Sequence, residues 1–440
     1  MDHPKFGATI GSRVIIPRLL PHTPMTVEKA TNTTNPAMAT GFAGAVVPGR
    51  SLWLFGLSVY AVAAAFSIAV SQIGLGLAAL GMVRMWMAGG FRPRWTVVEL
   101  SFGALFVAGL LSLINAVDIW RGVTELKKFL LIVVLWLPFW PGLKPAEQRR
   151  LMGLLVASSA LAGIMGAVGT TWKIATHAWD FRSSGFYSMS ITFGETQALF
   201  LLLTLSWLRS ESADSPRRLH LKGAAVCQAL GLLSSFTRGA FIGFALGLIM
   251  HFRAEWRKTL AGLVLIGLLG AVGAHVLRPD LDVFSLKSNK PQSIGGNLRW
   301  TIWQNGWKMF TEYPVLGVGL NNIKPHYRAL LEEHPNPNDP QVYGHLHNNF
   351  LQFLVMTGVV GFAAFWFLLL ATAQYLRKLP GTIAAPWLAL QAYGALDIWI
   401  AFHGTGLTEY SFGDEEVAML AFFLIGMLAA PVAAEKELDR

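Results

Sequence analysis

Between residues 52 and 433 the sequence is a succession of twelve apolar runs, separated by short polar segments and one long one. A helix needs about 20 mostly apolar residues to cross a bilayer, and most runs are near that length. Backbone polar groups in lipid must be paired within their own segment, which predicts helices and not strands. We therefore expect an all-α integral membrane protein with about twelve transmembrane helices. The runs cover residues 52–70, 73–87, 97–115, 128–140, 151–168, 191–208, 224–236, 240–252, 260–276, 350–376, 384–402 and 417–433.

The composition excludes a water-soluble fold of this size. Of the 440 residues, 53% are hydrophobic and 14% are charged, whereas an ordinary soluble domain is about 25% charged. The formal charge of +10 could indicate nucleic-acid binding, but in a membrane protein it indicates loops that face the cytoplasm and anionic lipid. We therefore expect membrane lipids as partners and no nucleic acid. The single cysteine, Cys227, permits no intrachain disulfide.

The positions of the basic residues predict how the chain crosses a bacterial inner membrane. With both termini in the cytoplasm, every short cytoplasmic loop carries at least two Lys or Arg residues, as the positive-inside rule requires. This topology divides the chain into five parts. They are a disordered cytoplasmic tail (1–50), nine helices (51–277), a large periplasmic loop (278–349), three helices (350–434) and a cytoplasmic tail (435–440).

The stretch 224–252 allows two interpretations, because only Thr237-Arg238 interrupts it. As one long helix, it would reverse the orientation of everything downstream. As two short helices that meet at an external turn, it leaves the later basic clusters in the cytoplasm. The second interpretation is favoured.

An amphipathic helix is predicted within the large loop, at residues 298–311. Trp300, Trp303, Trp307 and Phe310 recur there at helical spacing. Aromatic side chains at this density prefer the headgroup layer of a membrane. The helix is therefore expected along the outer membrane–water interface.

Motifs for nucleotides and metals are absent or misplaced. The sequence contains no Walker-type phosphate loop and no HExxH, and Gly317-Val318-Gly319 is better explained as a turn than as a dinucleotide site. Asp280-Leu281-Asp282 has the spacing with which some transferases hold a nucleotide sugar, but it falls on the outer face, where such donors are not available. We expect neither a cofactor nor a metal.

Three arginines on the predicted outer face are candidates for phosphate binding: Arg182, Arg238 and Arg299. An arginine near the membrane is costly unless it faces a polar cavity or a partner, and its planar fork binds phosphate bidentately. Each arginine taken alone could instead extend to the lipid headgroups. Arg238 is the most informative, because it interrupts an apolar stretch. A pocket with two or three fixed positive charges suits a pyrophosphate.

A second cluster, His345-Leu346-His347-Asn348, stands at the mouth of the tenth predicted span. His–X–His is also a zinc spacing, but the only further ligands close in sequence are Glu332, Glu333 and His334. A histidine near its ordinary pKa of about 6.5 is neutral at pH 7 and can take a proton from a hydroxyl. The sequence does not rank the acids that could support such a base. These acids are Glu99, Glu195, Asp397, Glu409 and Asp414, with His403 as a further candidate.

The region from about 180 to 360 resembles the bacterial O-antigen ligase and polymerase superfamily. The similarity lies in the order of several short motifs and in the large outer loop that contains most of them. The motifs are Arg182 with Gly185, Thr237-Arg238-Gly239-Ala240, Arg299 with Trp303, Tyr313-Pro314-Val315-Leu316-Gly317-Val318-Gly319, and His345-Leu346-His347-Asn348 with Phe350-Leu351. The chain departs from the family pattern at Tyr313, where an asparagine is usual.

The resemblance implies an O-antigen ligase, a metal-independent membrane glycosyltransferase of the GT-C kind. Such an enzyme transfers O-antigen polysaccharide from undecaprenyl pyrophosphate to lipid A–core at the periplasmic face. Arg182 and Arg238 would hold the pyrophosphate, and His347 would be the general base of an inverting displacement. Arg299, His345 and Asn348 are second choices. An O-antigen polymerase that uses the same donor is the close alternative, and a polytopic transporter is the distant one.

Overall fold

The computed structural model describes residues 47–176, 180–277, 296–334, 341–383 and 386–438. This part of the chain is helical and contains no β-strand. The predicted disordered tail falls almost entirely on residues 1–46, which lie outside the described residues, as do the first 18 residues of the predicted large loop (278–295). Helix α15 continues to Leu438, so the predicted C-terminal tail from 435 is largely helical instead.

The described part contains fifteen α-helices, joined by short loops and 3₁₀ turns. The first ten are α1 (Arg50–Ala63), α2 (Ile68–Met87), α3 (Val97–Ser112), α4 (Ile119–Glu125), α5 (Leu131–Phe139), α6 (Pro145–Ala175), α7 (Ser190–Ser210), α8 (Arg217–Ser234), α9 (Arg238–His251) and α10 (Trp256–Leu277). The remaining five are α11 (Gly296–Glu312), α12 (Ile323–Glu333), α13 (Asn349–Lys378), α14 (Pro386–Thr405) and α15 (Glu415–Leu438).

Within the described residues, each of the twelve predicted runs overlaps a helix, and the count of twelve membrane spans stays a prediction. Five helical segments are long and apolar enough to cross a membrane, as judged by length and composition within the described residues, and α1 and α9 are shorter apolar helices. The five segments are 68–87, 97–115, 145–175, 190–210 and 349–381. The first two predicted runs are divided differently from our expectation. The break lies at residues 64–67, because the Ser67 side chain accepts a hydrogen bond from the Val70 amide and caps α2.

The chain reverses between α8 and α9, as the two-helix interpretation requires. At the start of α9, the Thr237 hydroxyl donates to the carbonyl of Ser190, at the start of α7, over 3.0 Å. At the end of α9, the Arg209 guanidinium, near the end of α7, donates to the carbonyl of His251. Helix α9 therefore runs parallel to α7, whereas α8 returns antiparallel to α7 after a short loop. A single continuous helix over 224–252 is wrong.

Helix α7 is the central element of the bundle. Most of its membrane-length segment is buried, and it packs against α6, α8, α9, α14 and α15. The outer helices instead expose large apolar side chains, such as Phe55, Ile73 and Leu100. Exposed apolar surface of this extent suits a lipid solvent.

Helix α11 confirms the helix predicted within the large loop. Ile302, Gly306 and Met309 face the protein and are buried, whereas Trp300 and Trp307 are exposed. The indole N–H of Trp303 donates to the Leu346 carbonyl over 2.9 Å. This contact ties α11 to the loop that carries the two histidines.

The segment 313–319 crosses helix α13 and breaks it. The amide of Val318 donates to the Val355 carbonyl over 2.9 Å, and Gly358 adopts a left-handed φ of +61° within α13. A β-carbon on Gly358 would lie 2.2 Å from the Val315 carbonyl oxygen, so only glycine fits there. The crossing segment fixes the first third of α13, and His347 lies two residues before the first residue of that helix.

Candidate active site

His347 occupies a strained backbone position at the entrance to α13. Its φ is +48°, a left-handed conformation that costs a non-glycine residue roughly 1–2 kcal/mol. Hydrogen bonds on both sides hold it there. The Leu346 amide donates to the side chain of Gln352 over 2.8 Å, and the Asn349 amide donates to the Gly406 carbonyl over 2.7 Å. Strain kept in place by its surroundings is typical of a functional position.

Asn348, a second-choice site residue, has a structural role. Its side-chain oxygen accepts from the Leu351 amide over 3.0 Å and caps α13, and its Nδ2 donates to the Leu407 carbonyl over 2.9 Å. Asn348 therefore joins the histidine loop to the segment 406–414 that follows α14.

Glu409, in that segment, links two site residues that are distant in sequence. Its Oε2 lies 3.0 Å from Nδ1 of His347, and its Oε1 forms an ion pair with the guanidinium of Arg299. Only 5% of Glu409 is exposed, so water competes little for these contacts. Because the carboxylate accepts and cannot donate, Nδ1 of His347 carries the hydrogen, and Nε2 remains free to accept a proton. We call these three residues the base cluster.

Within the base cluster, Arg299 has its charge engaged by Glu409. A buried carboxylate and a buried guanidinium at this distance neutralise one another, so Arg299 adds little net charge for a phosphate. Its Nε is also buried and has no hydrogen-bond partner in the described part of the chain. The arrangement makes Arg299 a support for Glu409 rather than the principal phosphate ligand.

Arg238 stands beside the base cluster with its side chain exposed. It opens helix α9 and has no ion-pair partner among the described residues. The next residue, Gly239, packs so closely that a β-carbon there would lie 3.3 Å from Cγ of Glu409 and 2.7 Å from the Thr408 hydroxyl. The backbone at Arg238 is therefore held next to Glu409, while its guanidinium is available to a ligand.

Arg182 lies on a segment that packs against the same turn. The Ser183 amide donates to the Ser234 carbonyl over 2.9 Å, and the rings of Phe181 and Phe236 meet edge to face with centroids 4.8 Å apart. The guanidinium of Arg182 is half-exposed and lies 3.2 Å from the Asp180 carboxylate. The structure thus brings the segments of the two predicted pyrophosphate ligands together.

His345, also a second choice, lies next to the base. Its ring centroid is 4.2 Å from that of His347 and 6.3 Å from that of Tyr410. Desolvation of the ring, and then the neighbouring His347, lower the pKa of His345 to about 4. A lowered histidine pKa favours the neutral ring and makes His345 a weaker base than an ordinary histidine, which suits it to a hydrogen-bonding or stacking role beside His347.

None of the other candidate acids, and not His403, forms a hydrogen bond with His347 in the described part of the chain. Glu99 completes the cap of α3 and accepts from Trp136, and Asp414 accepts from the Thr192 hydroxyl over 2.6 Å. Asp397 pairs with His251 in the interior, and His403 is buried among aromatic rings. Glu195 is buried, with the Ser411 hydroxyl as a polar neighbour.

Glu409 is the residue that sequence reasoning did not single out. It was one of five acids of equal standing, 62 residues from His347 and 110 from Arg299. Its sequence context carries no motif that marks it. Within the described residues, no group of three or more His, Cys, Asp or Glu side chains is arranged to hold a metal ion, so His345 and His347 lack a third ligand there.

A comparison with protein families matches one part of the chain. Residues 223–366 match the family model described as O-antigen ligase. This part of the chain is similar to the O-antigen ligase family. The O-antigen ligase segment contains Arg238, Arg299, His345 and His347, whereas Glu409 lies beyond its end. The resemblance noted from the motifs is confirmed, and the family implies a membrane enzyme of glycosyltransferase type that handles lipid-linked polysaccharide.

One similar protein comes from Haemophilus influenzae and is described as uncharacterized. It is 24% identical over 295 residues, which make up 63% of this chain and 72% of that protein. The similarity extends over a longer stretch than the O-antigen ligase segment. It supports common ancestry and adds no information about the substrate.

Proposed function

We propose that this O-antigen ligase family protein transfers O-antigen polysaccharide from undecaprenyl pyrophosphate to lipid A–core. The observation that carries the proposal is the base cluster, Arg299–Glu409–His347, which stands beside the exposed Arg238. A base with one nitrogen oriented by a buried carboxylate, next to an unpaired arginine, provides both functions that the transfer needs. The reaction is metal-independent and, as a single displacement, inverts the anomeric carbon.

His347 acts on the acceptor. Nε2 of His347 takes the proton from a sugar hydroxyl of lipid A–core as that oxygen attacks the anomeric carbon of the donor. A new bond from carbon to the acceptor oxygen forms, and the bond from carbon to the phosphate oxygen breaks. The Glu409 carboxylate stabilises the imidazolium that results, through the hydrogen on Nδ1.

Arg238 and Arg182 act on the donor. The electron pair of the broken bond stays on the pyrophosphate, whose negative charge grows in the transition state. Fixed guanidinium groups aimed at that charge lower the barrier because they need no reorganisation during the reaction. The backbone at Arg238, at the N-terminus of α9, adds the positive end of the helix dipole.

Arg238→Ala is expected to lower the transfer rate at least tenfold, and Arg238→Lys is not expected to restore it. Each charge-assisted hydrogen bond to phosphate contributes roughly 1.5–3 kcal/mol, and lysine lacks the two-pronged donor geometry. The assay measures polysaccharide transfer by purified variants at matched protein levels. Arg328→Ala, at an exposed position on α12, is the control. Normal transfer by Arg238→Ala would mean that Arg238 only contacts lipid headgroups.

The proposal includes the orientation of the chain in the inner membrane. Twelve helices cross the bilayer in a GT-C-like arrangement, both termini are cytoplasmic, and the base cluster faces the periplasm. A reporter that is active only in the periplasm should be active when fused after Ala329 and silent after Pro216. The opposite pattern would exclude this orientation.

The function itself is tested by deleting the gene and examining the lipopolysaccharide. A ligase deletion loses all O-antigen on lipid A–core and retains long lipid-linked chains. If single repeats are still attached to lipid A–core, the protein is a polymerase with the same donor. If neither pattern changes, a transferase role is excluded, and a transporter becomes the better explanation.

A further inference from the structure

Helices α9 and α14 meet along a line of residues spaced four apart on both helices. On α9 the line consists of Gly239, Gly243, Gly247 and His251, all of them buried. The facing positions are Asp397, Ala401, Thr405 and Glu409, also buried and in antiparallel order. Residues four apart lie on one face of a helix, so the line is a continuous seam. We call it the α9–α14 seam.

The seam is so close that no side chain fits on its glycines. A β-carbon on Gly243 would lie 2.7 Å from the Ala401 carbonyl oxygen and 2.1 Å from the Thr405 hydroxyl. On Gly247 it would lie 3.0 Å from the Asp397 carbonyl oxygen. Without protruding side chains, a glycine face offers little resistance to sliding along the helix axis. The register of α9 on α14 therefore needs another determinant.

That determinant lies at the far end of the seam. Nδ1 of His251 is 2.7 Å from Oδ2 of Asp397, and both side chains are almost completely buried. Removing one partner of such a pair leaves a buried polar group uncompensated, so the pair holds its two helices in one relative position. Arg209 additionally binds the His251 carbonyl and so fixes the end of α9 to α7.

The near end of the seam is the proposed active site. Arg238 lies in the first turn of α9, and Glu409 lies in the turn that follows α14. Gly239 contacts Glu409 and Thr408 there and thereby joins the two turns. The amide of Glu409 donates to the Thr405 carbonyl over 3.1 Å, which continues the turn of α14 up to the base cluster. A shift of α9 along the seam would move Arg238 relative to Glu409 and therefore to His347.

The geometry points to His251 and Asp397 as positioning residues for the transfer. Across about 20 Å of helix, their hydrogen bond sets the register of the α9–α14 seam. It thereby sets the spacing between the pyrophosphate ligand Arg238 and the base held by Glu409. The inference rests on the proposed function of those two ends. It assigns to a buried pair far from the substrate a role in turnover rather than in binding.

The kinetic test uses purified full-length Asp397→Ala and His251→Ala. A misplacement of about 1 Å between reacting groups can lower a rate 100-fold, so we expect turnover to fall by about tenfold to 100-fold. Binding of undecaprenyl pyrophosphate should stay at the wild-type level, because the segment of Arg182 stays packed against the α8–α9 turn that precedes Arg238. The exchanged pair, His251→Asp with Asp397→His, should recover most of the turnover. His220→Ala, exposed on α8, is the matched control.

The seam itself offers an independent pair of variants. In Gly247→Ala the new β-carbon would lie 2.6 Å from Cδ1 of Leu202 on α7 and 3.0 Å from the Asp397 carbonyl oxygen on α14. Helix α9 must therefore move, and turnover should also fall without loss of pyrophosphate binding. Gly262→Ala, where a β-carbon meets no atom within 4 Å, should leave both unchanged. If Asp397→Ala and Gly247→Ala both turn over at the wild-type rate, the inference is wrong. It is also wrong if binding and turnover fall together and the exchanged pair does not recover them.

Hydrogen–deuterium exchange tests the register without any substrate. In Asp397→Ala, the amides at 238–243 and 406–410 should exchange faster than in the wild type, although they lie at the opposite end of the seam. Unchanged exchange there would overturn the inference. The two proposals can fail separately. If exchange is faster in Asp397→Ala but deletion of the gene leaves the lipopolysaccharide unaltered, the pair still sets the register, and the proposed transfer is wrong.

Discussion

Replacing His347 by alanine is expected to lower polysaccharide transfer by about 10²–10⁴-fold, the usual contribution of a general base. A sugar hydroxyl is a weak nucleophile at neutral pH, and no other imidazole in the described part of the chain is oriented by Glu409. Binding of undecaprenyl pyrophosphate should persist, because its contacts are assigned to Arg182 and Arg238. The measurement combines turnover of the purified variant with binding of the lipid pyrophosphate.

Two comparisons sharpen this result. His345→Ala should be milder, because that ring packs against His347 and does not contact Glu409 through a hydrogen bond in the described structure. A chelator should leave the wild-type enzyme fully active. If a chelator abolishes turnover and zinc restores it, the two histidines form a metal site and His347 is not a general base. If His347→Ala transfers polysaccharide at the wild-type rate, the placement of the active site is wrong.

Glu409→Gln is expected to lower turnover by about 100-fold. Glu409 takes the position of the aspartate in a Ser-His-Asp triad, and replacing that aspartate by its amide strongly lowers the rate of such enzymes. The amide removes the charge that stabilises the imidazolium of His347 and leaves Arg299 buried without a counter-charge. The thermal stability of the variant should therefore fall as well. Both quantities are measured on the purified protein.

The control for this variant is Glu332→Gln, at an exposed position on α12, which should match the wild type in both turnover and stability. Glu409→Asp keeps the charge but shortens the side chain, so it should retain the stability better than the turnover. If Glu409→Gln transfers polysaccharide at the wild-type rate, His347 does not depend on Glu409, and the base cluster has no catalytic role.

Much of the fold is predictable because the solvent of this chain is lipid. Apolar runs and basic loops are local properties, and they located most of the helices and the break at Thr237-Arg238. They did not locate the break after α1, where the Ser67 cap outweighs a continuous apolar run. The motifs similarly proposed His347 and Arg238 as site residues, since both lie close to helix starts that the sequence itself marks.

By itself, then, the sequence determined the helical class, showed the resemblance to the O-antigen ligase family and proposed a candidate base. Only the tertiary structure decided which acid supports that base. Glu409 reaches His347 across 62 residues and Arg299 across 110, and Asp397 reaches His251 across 146. These partners carry no local signal, because helix packing and not sequence spacing sets their distance. The close glycine contact of α9 with α14 brings Arg238 and Glu409 to the same end of the bundle.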